Sequence, residues 1–85
     1  MRGTTESGFK FNIDEKLLNN MELVEAIAEL DTNQLALPRV LDLLIGKEQK
    51  KALYDHVRQG DIVPVDKVAE EVRNIFTAMG EKSKN

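Results

Sequence analysis

Leu37-Pro38-Arg39-Val40-Leu41-Asp42-Leu43-Leu44-Ile45-Gly46, running on into Lys47-Glu48-Gln49-Lys50-Lys51-Ala52-Leu53-Tyr54-Asp55-His56-Val57-Arg58, is the stretch that decides the fold. Pro38 suits the first turn of a helix, where no intrahelical amide bond is lost. Gly46 stands where a helix end wants a left-handed residue. The spacing therefore predicts one helix over 37–45, a turn at Gly46, and a second helix over 48–58 with Ala52, Leu53, Val57 and Tyr54 inward. Gly60 closes the second helix.

Upstream, Asp14 can cap a helix that begins at Glu15, because its carboxylate can accept from orphan backbone amides. Leu17, Met21, Val24, Ile27, Ala28 and Leu30 fall at helical spacing, and Asn19-Asn20 can split this run into a short turn and a longer helix. Asp31-Thr32-Asn33 reads as a stop. Downstream, Pro64 opens a last helix. Val65, Val68, Ala69, Val72, Ile75, Phe76 and Met79 make its apolar stripe, and Gly80 ends it. Phe9-Lys10-Phe11-Asn12-Ile13 alternates apolar and polar, the strand period of two. It is too short to be a sheet alone. It reads as an arm laid over the helices or paired with another chain. The expected fold is thus all-α: a compact bundle of about four short helices with a short extended N-terminal segment. Residues 1–8 read as a flexible tail, 9–80 as a single helical domain, and 81–85 as a polar tail.

The chain has 85 residues, 41% hydrophobic and 32% charged, a globular balance for one domain with one modest core. It has no cysteine, so no disulfide and no thiolate metal site can form. No apolar run approaches a membrane span, and residues 1–8 lack an apolar signal core. The formal net charge of −3 disfavours nucleic acid as a partner. The charge is uneven: acidic from Ile13 to Gly46, mildly basic from Lys47 to Gly60.

Catalytic chemistry finds no foothold in the pattern. His56 is the single histidine. Asp31-Thr32-Asn33 opens like a calcium loop, but Leu35 occupies a ligand position, Ala36 the turn glycine and Asp42 the closing glutamate. Glu70-Glu71 and Asp14-Glu15 are helix neighbours about 100° apart, so neither pair converges on a substrate. Ser7 and Ser83 read as tail residues, not positioned nucleophiles. No enzyme activity, metal or cofactor is expected. A helix-turn-helix reading places Lys47, Lys50 and Lys51 at the start of a recognition helix. Glu48, Asp55 and the acidic net charge stand against it.

Several segments carry a family resemblance. Phe9-Lys10-Phe11-Asn12-Ile13-Asp14-Glu15-Lys16 precedes a helix ending near Ala28-Glu29-Leu30. Leu35-Ala36-Leu37-Pro38, Leu41 to Gln49, Leu53-Tyr54-Asp55-His56-Val57, Val63-Pro64-Val65 and Ile75-Phe76 follow in order. From Phe9 to Met79 the chain resembles the small tail assembly chaperones of long-tailed phages and prophages of Gram-positive bacteria. An aromatic expected near Met21 in that family is missing here. The resemblance implies a non-enzymatic helper in the cytoplasm of the bacterial host cell. Such helpers coat the helix-rich tape measure protein while tail-tube subunits polymerise around it. They are often made in a short and a frameshifted long form, and this chain looks like the short one.

Independently, the chain carries more apolar positions than four short helices need. Leu23, Leu35 and Leu43 lie off the best stripes, and Phe9 and Phe11 precede any helix. Exposed apolar area tends to be interface, so these five residues are the expected partner-binding set. The partners in view are a tape measure protein, tail-tube protein and a second copy of the chain. The other readings are a small helix-turn-helix regulator and a generic helical adaptor.

Overall fold

The computed structural model describes residues 1–82. Its elements, in order, are β1 (Arg2–Thr4), β2 (Lys10–Asn12), a 3-10 turn (Glu15–Asn19), α1 (Met21–Leu30), a second 3-10 turn (Gln34–Ala36), α2 (Leu37–Leu44), α3 (Gly46–Val57) and α4 (Val65–Lys82). The fold is mostly helical, with four α-helices, but not purely so.

The local signals for the helices act as the sequence implies. Asp14 accepts from the Lys16 amide at 3.0 Å and starts the first 3-10 turn. Asn20 accepts from the Glu22 amide at 3.0 Å, so the chain restarts as α1 one residue later. Asn33 does the same for the second 3-10 turn through the Leu35 amide. Gly46 has φ +83°, the left-handed conformation that lets α2 stop and α3 begin at once. At the other end of α3, Gly60 (φ +62°) lets Gln59 and Ile62 exchange backbone hydrogen bonds in a tight turn before α4.

The N-terminal expectation needs correction. Residues 1–8 are not a tail: β1 pairs antiparallel with β2, with Gly3 opposite Phe11. The Met1 amino group donates to the Ile13 carbonyl at 2.7 Å. Phe9 to Ile13 therefore pairs with its own chain, and the all-α reading gives way to a two-stranded sheet on a helical body. The physical cause is long-range. A glycine at position 3 leaves room for the Phe11 ring, since a Cβ there would lie 2.5 Å from its Cζ. The hairpin loop is tied down by α4, as described below.

Two boundaries also move. The last helix does not end at Gly80 but continues through Glu81 to Lys82, so two residues of the expected polar tail are helical. Residues 83–85 lie outside the described residues. And α3 begins at Gly46 rather than Glu48.

The core gathers Phe9, Phe11 and Ile13 from the hairpin side, Leu23 and Ala26 from α1, and Leu37, Val40, Leu41 and Leu44 from α2. Ile45 at the α2–α3 elbow, Leu53 of α3 and Val68, Val72, Ile75 and Met79 of α4 complete it. Each large side chain so buried contributes on the order of 1.5–3 kcal/mol. The inward face of α1 is set by its restart at Asn20. Leu23 and Ala26 point in, while Met21 and Val24 of the expected stripe stay exposed. Gln49 fixes the hairpin to the α2–α3 elbow. Its side-chain amide donates to the Asn12 and Ile45 carbonyls at 2.7 and 2.8 Å and accepts from the Asn12 amide at 2.7 Å.

Candidate functional site

Three of the five residues expected to bind a partner lie in the core. Phe9, Phe11 and Leu23 are 6%, 4% and 3% exposed, so none of them forms a surface. The two phenylalanines fill the space between the hairpin and the helices, a layer that a helix-only reading of the chain leaves out. Leu43 is half-buried against the core. Leu35 alone stands out, at 85% exposed. Its position follows from its neighbours. The Asn33 side chain holds the Leu35 amide, and the short 3-10 turn buries Ala36 while turning Leu35 outward.

Leu35 forms the lip of an open groove of about 410 Å³, lined by Gln34, Leu35, Leu37, Pro38, Tyr54, Val63, Val65 and Val68. No charged residue lines it. Leu37 and Val68 make its buried floor, and Val65 at its edge is 55% exposed. Ile62, 67% exposed, lies in the neighbouring turn. Four chain segments build this groove: the second 3-10 turn with the start of α2, the middle of α3, the α3–α4 link, and the first turns of α4. Solvent-facing leucine, valine and proline side chains around one concavity are what an apolar partner side chain displaces water from.

A second, polar site lies where the hairpin loop meets α3 and α4. Thr5 donates to Glu71 Oε1 at 2.7 Å and Ser7 donates to Glu71 Oε2 at 2.8 Å. Ser7 Oγ also lies 3.0 Å from His56 Nε2. Each hydroxyl has one hydrogen, and both are spent on Glu71. The His56 contact is therefore made by an Nε2–H donating to Ser7. This is the reverse of a histidine drawing a proton from a serine nucleophile. Ser7 is held in place, contrary to the tail reading, but as a link in a structural chain. Position 71 gave no sign of this in the sequence, because its partners are more than 60 residues away.

Two of the three lysines at the α2–α3 elbow, Lys47 and Lys50, are engaged within the chain. Lys50 Nζ lies 2.7 Å from Asp42 Oδ1 and Lys47 Nζ 3.5 Å from Asp42 Oδ2. Lys50 beside it, aided by Lys47, holds the Asp42 carboxyl below the usual carboxylate range, against the opposing effect of burial. Among the described residues no group of three or more acidic or histidine side chains comes together to hold a metal ion. No helix among them is long and apolar enough to cross a membrane.

The chain matches no protein-family model, no curated protein and no solved structure.

Proposed function

We propose that this chain is a non-enzymatic protein-binding module that acts as a phage tail assembly chaperone. In this reading it holds apolar, helix-rich segments of a tape measure protein while tail-tube subunits polymerise, in the cytoplasm of the bacterial host. The observation that carries it is the groove at Leu35: a concave, uncharged, open surface with a leucine at its lip. Exposed leucine in such a place costs solubility unless it is used. The segmental resemblance between Phe9 and Met79 supplies the partner class. The engagement of Lys47 and Lys50 with Asp42 weighs against phosphate binding at the elbow.

The test is Leu35→Asp. Surface replacements usually change stability by no more than about 0.5 kcal/mol, so the thermal midpoint should hold. Truncating an interface anchor can cost about 2 kcal/mol or more of binding. The variant should therefore fail to keep a co-expressed tape measure fragment soluble. A folded variant that solubilises the fragment as well as the wild type overturns the reading.

A further inference from the structure

The backbone hydrogen bonds of the hairpin alternate. The Ile13 amide donates to the Met1 carbonyl at 2.7 Å and the Thr5 amide to the Phe9 carbonyl at 2.9 Å, with Gly3 opposite Phe11 between them. Odd-numbered positions therefore spend their backbone groups inside the hairpin, and even-numbered positions point theirs out to its two edges. Asn12 bears out this phase, since both of its backbone groups meet the Gln49 side chain outside the sheet. On the opposite edge, Arg2 and Thr4 aim two amides and two carbonyls outward. None of the four finds a partner among the described residues, and both residues are exposed.

The same register puts the side chains of Arg2, Thr4, Lys10 and Asn12 on one face of the sheet, opposite to the face through which Phe11 joins the core. Arg2, Gly3, Thr4, Lys10 and Phe11 line an open concavity of about 310 Å³ there, and both of its charged residues are positive. Arg2 and Lys10 sit diagonally across the two strands, a separation of about 7–8 Å. Neither enters an ion pair among the described residues. This local surplus of positive charge runs against the formal net charge of −3. A second copy of the chain pairing β1 with β1 would crowd Arg2 and Lys10 of each copy onto one face, and like charges across strands are destabilising.

From the outward backbone groups and this charge we infer that the edge of β1 accepts a further strand: an extended segment of another protein, with aspartate or glutamate at the two alternate positions opposite Arg2 and Thr4. Its main chain bonds the free amides and carbonyls, as in other strand-addition complexes. Its carboxylates meet Arg2 directly and Lys10 across Thr4. This interface is distinct from the groove at Leu35 and does not depend on it.

The experiment titrates the full chain with short valine-rich peptides carrying either glutamate or lysine at alternate positions, followed by fluorescence anisotropy and amide hydrogen exchange. The glutamate peptide should bind about three- to tenfold tighter than the lysine peptide, the range two exposed ion pairs supply. It should also protect the Thr4 amide, which has no partner in the free chain. Methylating the backbone nitrogens of its glutamates should abolish binding. Arg2→Glu, with folding checked by circular dichroism, should cancel or reverse the preference. Equal affinity for the two peptides, no binding of either, or binding of the glutamate peptide without protection at Thr4 overturns the inference. Leu35→Asp should bind the glutamate peptide as the wild type does. Loss of binding in that variant would seat the peptide in the groove and overturn the inference as well. Failure of the proposed function itself reads differently: Leu35→Asp then leaves tape measure solubilisation intact.

Discussion

Thr5 donates a 2.7 Å hydrogen bond to the buried carboxylate of Glu71, joining positions 66 residues apart. Ser7 satisfies the other carboxylate oxygen, and the Phe9 amide donates back to Thr5 Oγ1 at 3.1 Å. One α4 side chain thus organises the hairpin loop. Hydrogen bonds to a charged group contribute about 1.5–3 kcal/mol in total effect when such a partner is removed. Glu71→Ala should lower the unfolding free energy by about that much, with the largest loss of amide protection at Thr5 and Phe9. Urea unfolding and hydrogen exchange check both. Unchanged protection at those two amides would show that the loop holds without α4.

Gly3 faces the Phe11 ring across the hairpin, with no room for a side chain between. Gly3→Ala forces the ring to move, and overpacking of this kind costs about 1–3 kcal/mol. Phe11→Leu removes the atom that clashes. The double variant should therefore be less destabilised than the sum of the two single ones. Additive costs in a double-mutant cycle would show that the two positions do not meet.

Gly46 has open space where a Cβ would stand, so a substitution there meets no neighbour. Only its backbone conformation, φ +83°, is at stake. Gly46→Val should cost on the order of 1–2 kcal/mol from strain alone. Gly46→Asn should cost less, because asparagine tolerates the left-handed region better. Chemical denaturation of the two variants measures the order. Equal costs, or none, would mean the elbow is not held in this conformation.

The Asp42 carboxyl, held low mainly by its hydrogen bond to Lys50, gives a pH dependence of definite sign. A carboxylate with a lowered folded pKa stabilises the fold above its unfolded value and loses that contribution as pH falls through the folded one. The unfolded value for aspartate is about 3.9. The stability difference between wild type and Asp42→Asn should therefore be level from neutrality down to about pH 5, and should shrink below about pH 4. Urea midpoints across that range read it out. A difference that persists undiminished to strong acid would remove the Lys50 pairing as its cause.

The parts of the fold legible in the sequence are those governed by neighbours. Asp14, Asn20, Pro38 and Gly46 each act within a few residues, and each is found where its local chemistry places it. The hairpin was hidden because its causes are distant. Arg2-Gly3-Thr4 has no apolar alternation, and it becomes a strand through Phe11 and Glu71. The same holds for the site. Leu35 reads as surplus because it lies off the best helical stripe, and it is exposed. Leu23 reads as off the stripe when the helical phase is counted from Leu17 through Asn20, where the helix in fact restarts, and it is buried. Counting periodicity across the cap misplaces the first turns of α1, Met21, Leu23 and Val24, while Ile27 and Leu30 still pack against the core.

Gln49, which fastens Asn12 by both its backbone groups, has a bearing on aggregation. A short sheet at the surface is a template: an unpaired edge invites a stranger's strand, and stacking such edges is how fibrils grow. The carboxamide of Gln49 has the same donor and acceptor as a peptide unit, and it occupies the outer edge of β2 at Asn12 as a one-residue strand that cannot be extended. At Asn12 the edge is thereby capped by a side chain belonging to a helix, so the chain carries a β element without offering that position for fibril growth.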